Sequence, residues 1–280
     1  MNFKPKLGLG TVQFGTPYGI SNRSGQTPPE EVSRILDFAV RSKIKVLDTA
    51  SAYGNAEDVL GRYDLKGFRI VSKFMPPGQG EPLENQLMES LEHLKSDSLA
   101  GYLAHRPMAL LKEPAQWEEL LEIREKGLAE KIGYSLNEPA ELEKLMNAGF
   151  KPDLIQVPFN YLDRRFADYF RELKEMGCEI HTRSAFLQGL FFIKPEELNG
   201  FFADAKPILQ TLQKEIDTLP GSLLRFVLEQ PEIDKVIIGV ENTRQLRENL
   251  NALDRVPAGN VLPELKIKVP DRILMPSKWA

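Results

Sequence analysis

Four side chains with complementary chemistry stand at or just past the ends of short apolar runs in the first 106 residues. Asp48 ends the hydrophobic part of "VLDTASAYGNAEDVLG", and Tyr53 follows on a Gly-bounded turn. Lys73 sits in "IVSKFMPPG" and His105 in "LAHRP". Singly, each has an ordinary reading: an aspartate capping a turn, a rim aromatic, a lysine snorkelling to water, a satisfied core histidine. Together they make a proton-handling set. A phenol, with an ordinary pKa of about 10, is a poor acid near neutrality, and an ammonium beside it favours the phenolate. An aspartate would keep that ammonium charged, and an imidazole could hydrogen-bond a carbonyl oxygen. Such a set protonates an oxygen while another group delivers hydride to carbon. A Schiff-base lysine at Lys73 is an alternative that leaves Tyr53 without a task.

Positioning these groups requires several strand ends to converge. Eight apolar, β-branched runs alternate with helix-period segments, the pattern of βαβ units. They are residues 6–14, 45–50, 69–74, 99–106, 131–136, 154–160, 179–185 and 235–240. Between them, "TPPEEVSRILDFAVRS" predicts a helix capped by Thr27 with Glu30 completing a capping box, and Gly127, Gly149 and Gly177 close three later helices. A longer segment between the seventh and eighth runs predicts an inserted loop and an extra helix. No linker divides the chain, so residues 1–280 read as one α/β domain, a (β/α)8 TIM barrel, whose catalytic groups belong at the C-terminal ends of the strands. An open doubly wound sheet is disfavoured because no strand leads into a GxGxxG helix.

Composition narrows the partners. The 36 Lys and Arg against 40 Asp and Glu leave a formal charge of -4, without the basic excess of a phosphate-binding surface, so no nucleic acid is expected. One cysteine, Cys178, fits a reducing, cytoplasmic setting, and no window approaches the roughly 20 apolar residues of a membrane span. The three histidines, His93, His105 and His181, are scattered, so no metal is expected. Nothing specifies an oligomeric state.

Nearly the whole chain resembles the aldo-keto reductase family. "LGLGT" is similar to its first strand, "LDTASAYGNAEDVLG" to its most specific signature, "VSKF" and "HRP" to the segments that supply its lysine and histidine; "IGYSLN", "IQVPFN", "RSAFLQGL" and "VIIGVENTRQLRENL" follow in order. The resemblance implies Tyr53 as general acid, Asp48 and Lys73 as the pair that tunes it, and His105 as the residue orienting a small-molecule carbonyl substrate. It implies NADP(H) or NAD(H) bound in extended form, beginning near Gly10, Thr11 and Asp48. Ser135 and Gln156 would hold the carboxamide, Ser184, Leu187 and Gly189 would approach the pyrophosphate, and Gly239, Gln245, Glu248 and Asn249 would surround the adenosine end.

Four departures are visible. The amino-terminal hairpin is short or absent. Arg183 occupies the place of an aromatic that stacks on the nicotinamide. The family's Ser-Asn pair reads Ser135-Leu136. Where many members carry basic and hydroxyl residues for the 2′-phosphate, this chain has Glu241, which would repel a phosphate and accept a ribose hydroxyl. Arg244 and Arg247 lie close by in sequence, so both cofactors stay open. The expected activity is reduction of an aldehyde, ketone or sugar carbonyl; the rival is a cofactor-binding regulatory protein of the same fold with little turnover.

Overall fold

A computed structural model describes residues 3–78, 81–257, 262–265 and 267–279. Eight strands, β1 (Leu7–Gly10), β2 (Val46–Asp48), β3 (Arg69–Phe74), β4 (Gly101–Ala104), β5 (Ile132–Ser135), β6 (Leu154–Pro158), β7 (Glu179–Arg183) and β8 (Lys235–Gly239), pair in parallel and in sequence order. Pairing of Gly10 with both Asp48 and Gly239 closes the barrel. Except for β3, which matches its run of 69–74, the strands are shorter than the apolar runs. In the first run the extended chain stops at Gly10; Thr11 leaves the β region and Val12–Gly15 form one helical turn.

Helices Pro29–Arg41, Leu83–Leu94, Ala115–Glu125, Pro139–Asn147 and Phe170–Glu175 occupy five crossovers, the β2–β3 crossover holds only the five-residue helix Ala56–Leu60, and Thr243–Arg255 follows β8. The helix Pro29–Arg41 shows the logic: Val32, Ile35, Leu36 and Ala39 repeat at helical spacing and are all buried. Its start corrects the expected Thr27 capping box. Pro28, held extended at ψ 149 by the following Pro29, is the cap residue and makes no side-chain cap bond. Thr27 instead donates from Oγ1 to the carbonyl of Glu241 at 3.4 Å, tying this loop to the end of β8. Gly127, Gly149 and Gly177 do close their helices, at φ of +73, +86 and +81.

After β7 the insertion forms several 3₁₀ turns and two helices, Lys206–Glu215 and Leu219–Leu228. These bury a second apolar cluster that includes Leu187, Leu190, Phe191, Phe202 and Leu209. Trp279 joins it edge-on to Phe202 at 5.1 Å and donates to the carbonyl of Ile273 at 3.0 Å, so it anchors the tail. Before β1, the described residues form a single 3₁₀ turn, Lys4–Lys6, and no strand. Among the described residues no helix is long and apolar enough to cross a membrane.

Inside the barrel, Val46, Val71, Leu103, Leu154 and Ile237 form a separate apolar plug. Strand side chains alternate between faces, so the residues two positions further along share that inner face. They are Asp48, Lys73, His105, Gln156 and Gly239. The polar site is therefore the layer built directly on the plug, facing the C-terminal mouth.

Candidate active site

Lys73 is fully buried, and its ammonium donates to both carboxylate oxygens of Asp48 and to the carbonyl of Thr49, each at 2.8 Å. It also approaches the Tyr53 hydroxyl at 3.4 Å and lies 5.0 Å from the centre of that ring. Burial by itself would push the Lys73 pKa down; Asp48 and then Tyr53 outweigh it and raise the pKa above the ordinary lysine value. Gln156 completes the pair from the far side, donating from Nε2 to Asp48 Oδ1 at 2.6 Å. Its Oε1 is buried with no hydrogen-bond partner.

Tyr53 is placed by its turn. The backbone folds so tightly that a Cβ on Gly54, which has φ +59, would lie 2.4 Å from the carbonyl oxygen of Gly15, and a Cβ on Gly15 would meet the Tyr53 carbonyl. Only glycine fits both positions. Ser51 adds a clamp, donating from its N–H and its hydroxyl to the Lys73 carbonyl at 3.0 and 3.1 Å. Behind the turn Glu57 accepts from Ser72 at 2.5 Å and Ser90 at 3.0 Å, joining the short helix to β3 and to Leu83–Leu94. Burial raises the Glu57 pKa above the ordinary carboxylate value.

His105 meets Tyr53 edge-to-face, with ring centres 5.7 Å apart and planes at 87°. Its Nδ1 is buried without a partner. Burial first, and then the charge of Lys73 with smaller contributions from Arg183 and Arg106, lowers its pKa to about 4, so the imidazole is neutral at pH 7.

Above this layer opens a cavity of about 950 Å³. Tyr53, His105 and Asp48 line it, with Gly10, Thr11 and Ser135 on the neighbouring strand ends. Arg183, Ser184 and Gly189 form the β7 side, and Gly239, Glu241, Gln245 and Asn249 form the β8 side. Four expected residues stand outside it. Lys73 and Gln156 lie beneath, bonded to Asp48. Leu187 turns into the second apolar cluster. Glu248 pairs with Arg244 at 2.9 Å on the exposed flank of its helix, because it falls on a different face from the i, i+4 pair Gln245 and Asn249.

Arg183 is pinned by the carbonyl of Leu136 at 2.9 Å and Asn137 Oδ1 at 2.7 Å, so Asn137 stands near the site although Leu136 is buried away. Residues the sequence reading passed over also line the cavity: Gln13, Tyr18, Arg106, Gln188 and Ser277. Tyr18 carried a readable signal, because "PYGI" repeats the aromatic-glycine turn of "AYGN". It accepts from Gln188 at 2.6 Å, joining the first βα loop to the β7 loop.

A nicotinamide cofactor fits the residues present. The unpaired Gln156 Oε1 offers an acceptor, and Gly189 and Gly239 bring bare backbone to the cavity lining at places where an added Cβ would clash with Ser21 and Gln13. Among the described residues no group of three or more His, Cys, Asp and Glu is arranged to hold a metal ion.

The aldo/keto reductase family model matches residues 6–260. The chain belongs to the aldo/keto reductase family. It is similar to the uncharacterized oxidoreductase YqkF of Bacillus subtilis, 24% identical over 89% of this chain and 90% of that one. It is 28% identical to methylglyoxal reductase DkgA of Escherichia coli, over 58% of this chain and 56% of DkgA. Among solved structures, the holo form of aldo-keto reductase AKR11C1 from Bacillus halodurans aligns with a TM-score of 0.71 at 20% identity, covering 91% of this chain and 88% of that one. An aldo-keto reductase from Klebsiella pneumoniae in complex with NADPH aligns with a TM-score of 0.68 at 19% identity, covering 95% and 94%. As an aldo/keto reductase the protein is an NAD(P)-dependent oxidoreductase that acts on small carbonyl compounds.

Proposed function

We propose that the protein reduces an aldehyde, ketone or sugar carbonyl to the alcohol, with Tyr53 as the general acid. The observation that carries this reading is the Asp48–Lys73–Tyr53 chain: an ammonium held at 2.8 Å by a buried carboxylate and reaching the phenol at 3.4 Å. A reduced nicotinamide cofactor, when bound, supplies the hydride to the carbonyl carbon. Tyr53 gives its hydroxyl proton to the carbonyl oxygen, and the Lys73 ammonium favours the negative charge left on the phenolic oxygen. Neutral His105 donates a hydrogen bond to the same carbonyl oxygen and orients it. Asp48 holds Lys73 charged and in place, so the ammonium needs no rearrangement as the proton moves.

On the cofactor side, Ser135 and the free carbonyl of Gln156 would hold the carboxamide. Gly10 and Thr11 would border the nicotinamide half and Ser184 and Gly189 the diphosphate. Gln245 and Asn249, on the cavity-facing side of their helix, would meet the adenosine.

The test is a turnover screen with native protein and Tyr53→Phe. We expect the native protein to consume NADH or NADPH with a carbonyl substrate, and Tyr53→Phe to lose about 10²- to 10⁴-fold in kcat while still binding cofactor. Full turnover by Tyr53→Phe would remove Tyr53 from the acid role. Tight cofactor binding by native protein with no turnover on any carbonyl would favour the regulatory alternative.

A further inference from the structure

The charges around the cavity are distributed unevenly. Its cationic lining residues are Arg106, Lys112 and Arg183. Arg106 and Arg183 act on His105, and the guanidinium of Arg183 is held only by neutral acceptors. Among the described residues, the β8 side of the lining carries no lysine or arginine, and its one ionisable residue is Glu241.

The two arginines nearest Glu241 in sequence are engaged elsewhere. Arg244 is bonded to Glu248 at 2.9 Å with its side chain 85% exposed. Arg247 is stacked over Phe38, 5.2 Å from the ring centre. The opening turn of Thr243–Arg255 would ordinarily be a place for a phosphate, because its free N–H groups and the helix dipole favour an anion. Here two of those donors are taken. Thr243 N–H donates to Glu31 Oε1 at 2.6 Å, and Gln245 N–H donates to Asn242 Oδ1 at 2.9 Å. Glu31 is in turn held by Arg34 at 2.7 Å, so that guanidinium is committed as well.

Glu241 itself is oriented. Its N–H donates to Gln245 Oε1 at 2.7 Å and its carbonyl accepts from Thr27. The side chain is half-buried in the cavity wall, and no cation among the described residues pairs with its carboxylate.

We propose that the protein takes NADH in preference to NADPH, with Glu241 as the residue that sets the choice. This rests on the reading that the nicotinamide sits at Tyr53 and His105, which leaves the β8 side for the adenosine half. The two cofactors differ there by one 2′-phosphate on the ribose. Free ribose hydroxyls donate to the Glu241 carboxylate; a 2′-phosphate meets a like charge, a helix N-terminus partly filled by Glu31 and Asn242, and no lysine or arginine among the described residues that line that side.

Binding, measured without turnover, tests this. Cofactor fluorescence is titrated with native protein and with Glu241→Gln and Glu241→Arg, using NADH and NADPH near neutral pH at low and high salt. We expect at least tenfold tighter binding of NADH by native protein, a narrowed difference in Glu241→Gln, and reversed preference in Glu241→Arg. Added salt should narrow the native difference, because it screens the repulsion. AMP against 2′-AMP as competitors of NADH gives the same comparison on the native protein alone. Equal or tighter binding of NADPH by the native protein overturns the proposal while leaving the reductase reading intact. Failure to bind either cofactor overturns both. Preference for NADH that Glu241→Gln and Glu241→Arg leave unchanged removes Glu241 from the role.

Discussion

The two ends of the cavity are built on different principles. At the Tyr53 end, charge is buried and over-determined: Lys73 has three short bonds, Asp48 has three, and all lie on strands that rest on the apolar plug. At the Glu241 end, charge is partly exposed, carried on a loop and the first turns of a helix, and held by single hydrogen bonds. Burial makes the first end rigid, because a displaced ion there has no water to receive it. Exposure makes the second end adjustable, since a surface charge can change sign without disturbing the core. A barrel can thus retain one reaction while its cofactor preference changes.

Substitution at the buried end should give the largest effect. Lys73→Met leaves Asp48 buried with Gln156 as its side-chain donor, and should cost about 3–5 kcal/mol of stability, read from the denaturation midpoint. Lys73→Met combined with Asp48→Asn should recover much of that stability and none of the turnover. If Lys73→Met were as stable as the native protein, the pair would not be the constraint described.

A smaller effect is expected from His105. Its pKa is about 4 in the folded protein against an ordinary 6.5, so the unfolded chain binds more protons between those values. Its contribution to stability is complete above about 6.5 and declines as pH falls toward 4. His105→Gln should flatten this part of the stability profile, while native turnover should show no inflection from His105 between roughly pH 5 and 8. An imidazole inflection near neutrality that His105→Gln abolishes would contradict a neutral His105.

The smallest effect belongs to Arg183, whose charge lies beside the Asp48–Lys73 layer without touching that ion pair. Arg183→Gln should raise affinity for oxidised over reduced cofactor by a few-fold, on the order of 0.5–1 kcal/mol, because a cation no longer faces the nicotinium ring. An unchanged ratio would place the Arg183 charge away from that ring.

Much of this architecture is legible in the chain because barrel strands are local and periodic. The alternation that carries Val46 to Asp48, Val71 to Lys73 and Leu103 to His105 is already present in the sequence, and the structure turns it into a plug with a polar layer above. Helix ends marked by Gly127, Gly149 and Gly177 are equally local. Thr27 shows where local reading stops: its proline context moves the helix start, and its hydroxyl finds a partner 214 residues away. Leu187 and Glu248 show the same limit, because a motif position does not state which way a side chain turns.

By itself, the sequence determined the strand count, the order of the crossovers and the residue types at each strand end, all of which follow from periodicity and short-range sterics. Tertiary structure alone decided which charges meet. Asp48 reaches Gln156 across 108 residues, Thr243 meets Glu31 across 212, and Arg183 settles against Leu136 and Asn137. Electrostatic energy depends on separation and burial in space, and chain spacing reports neither until the barrel has closed.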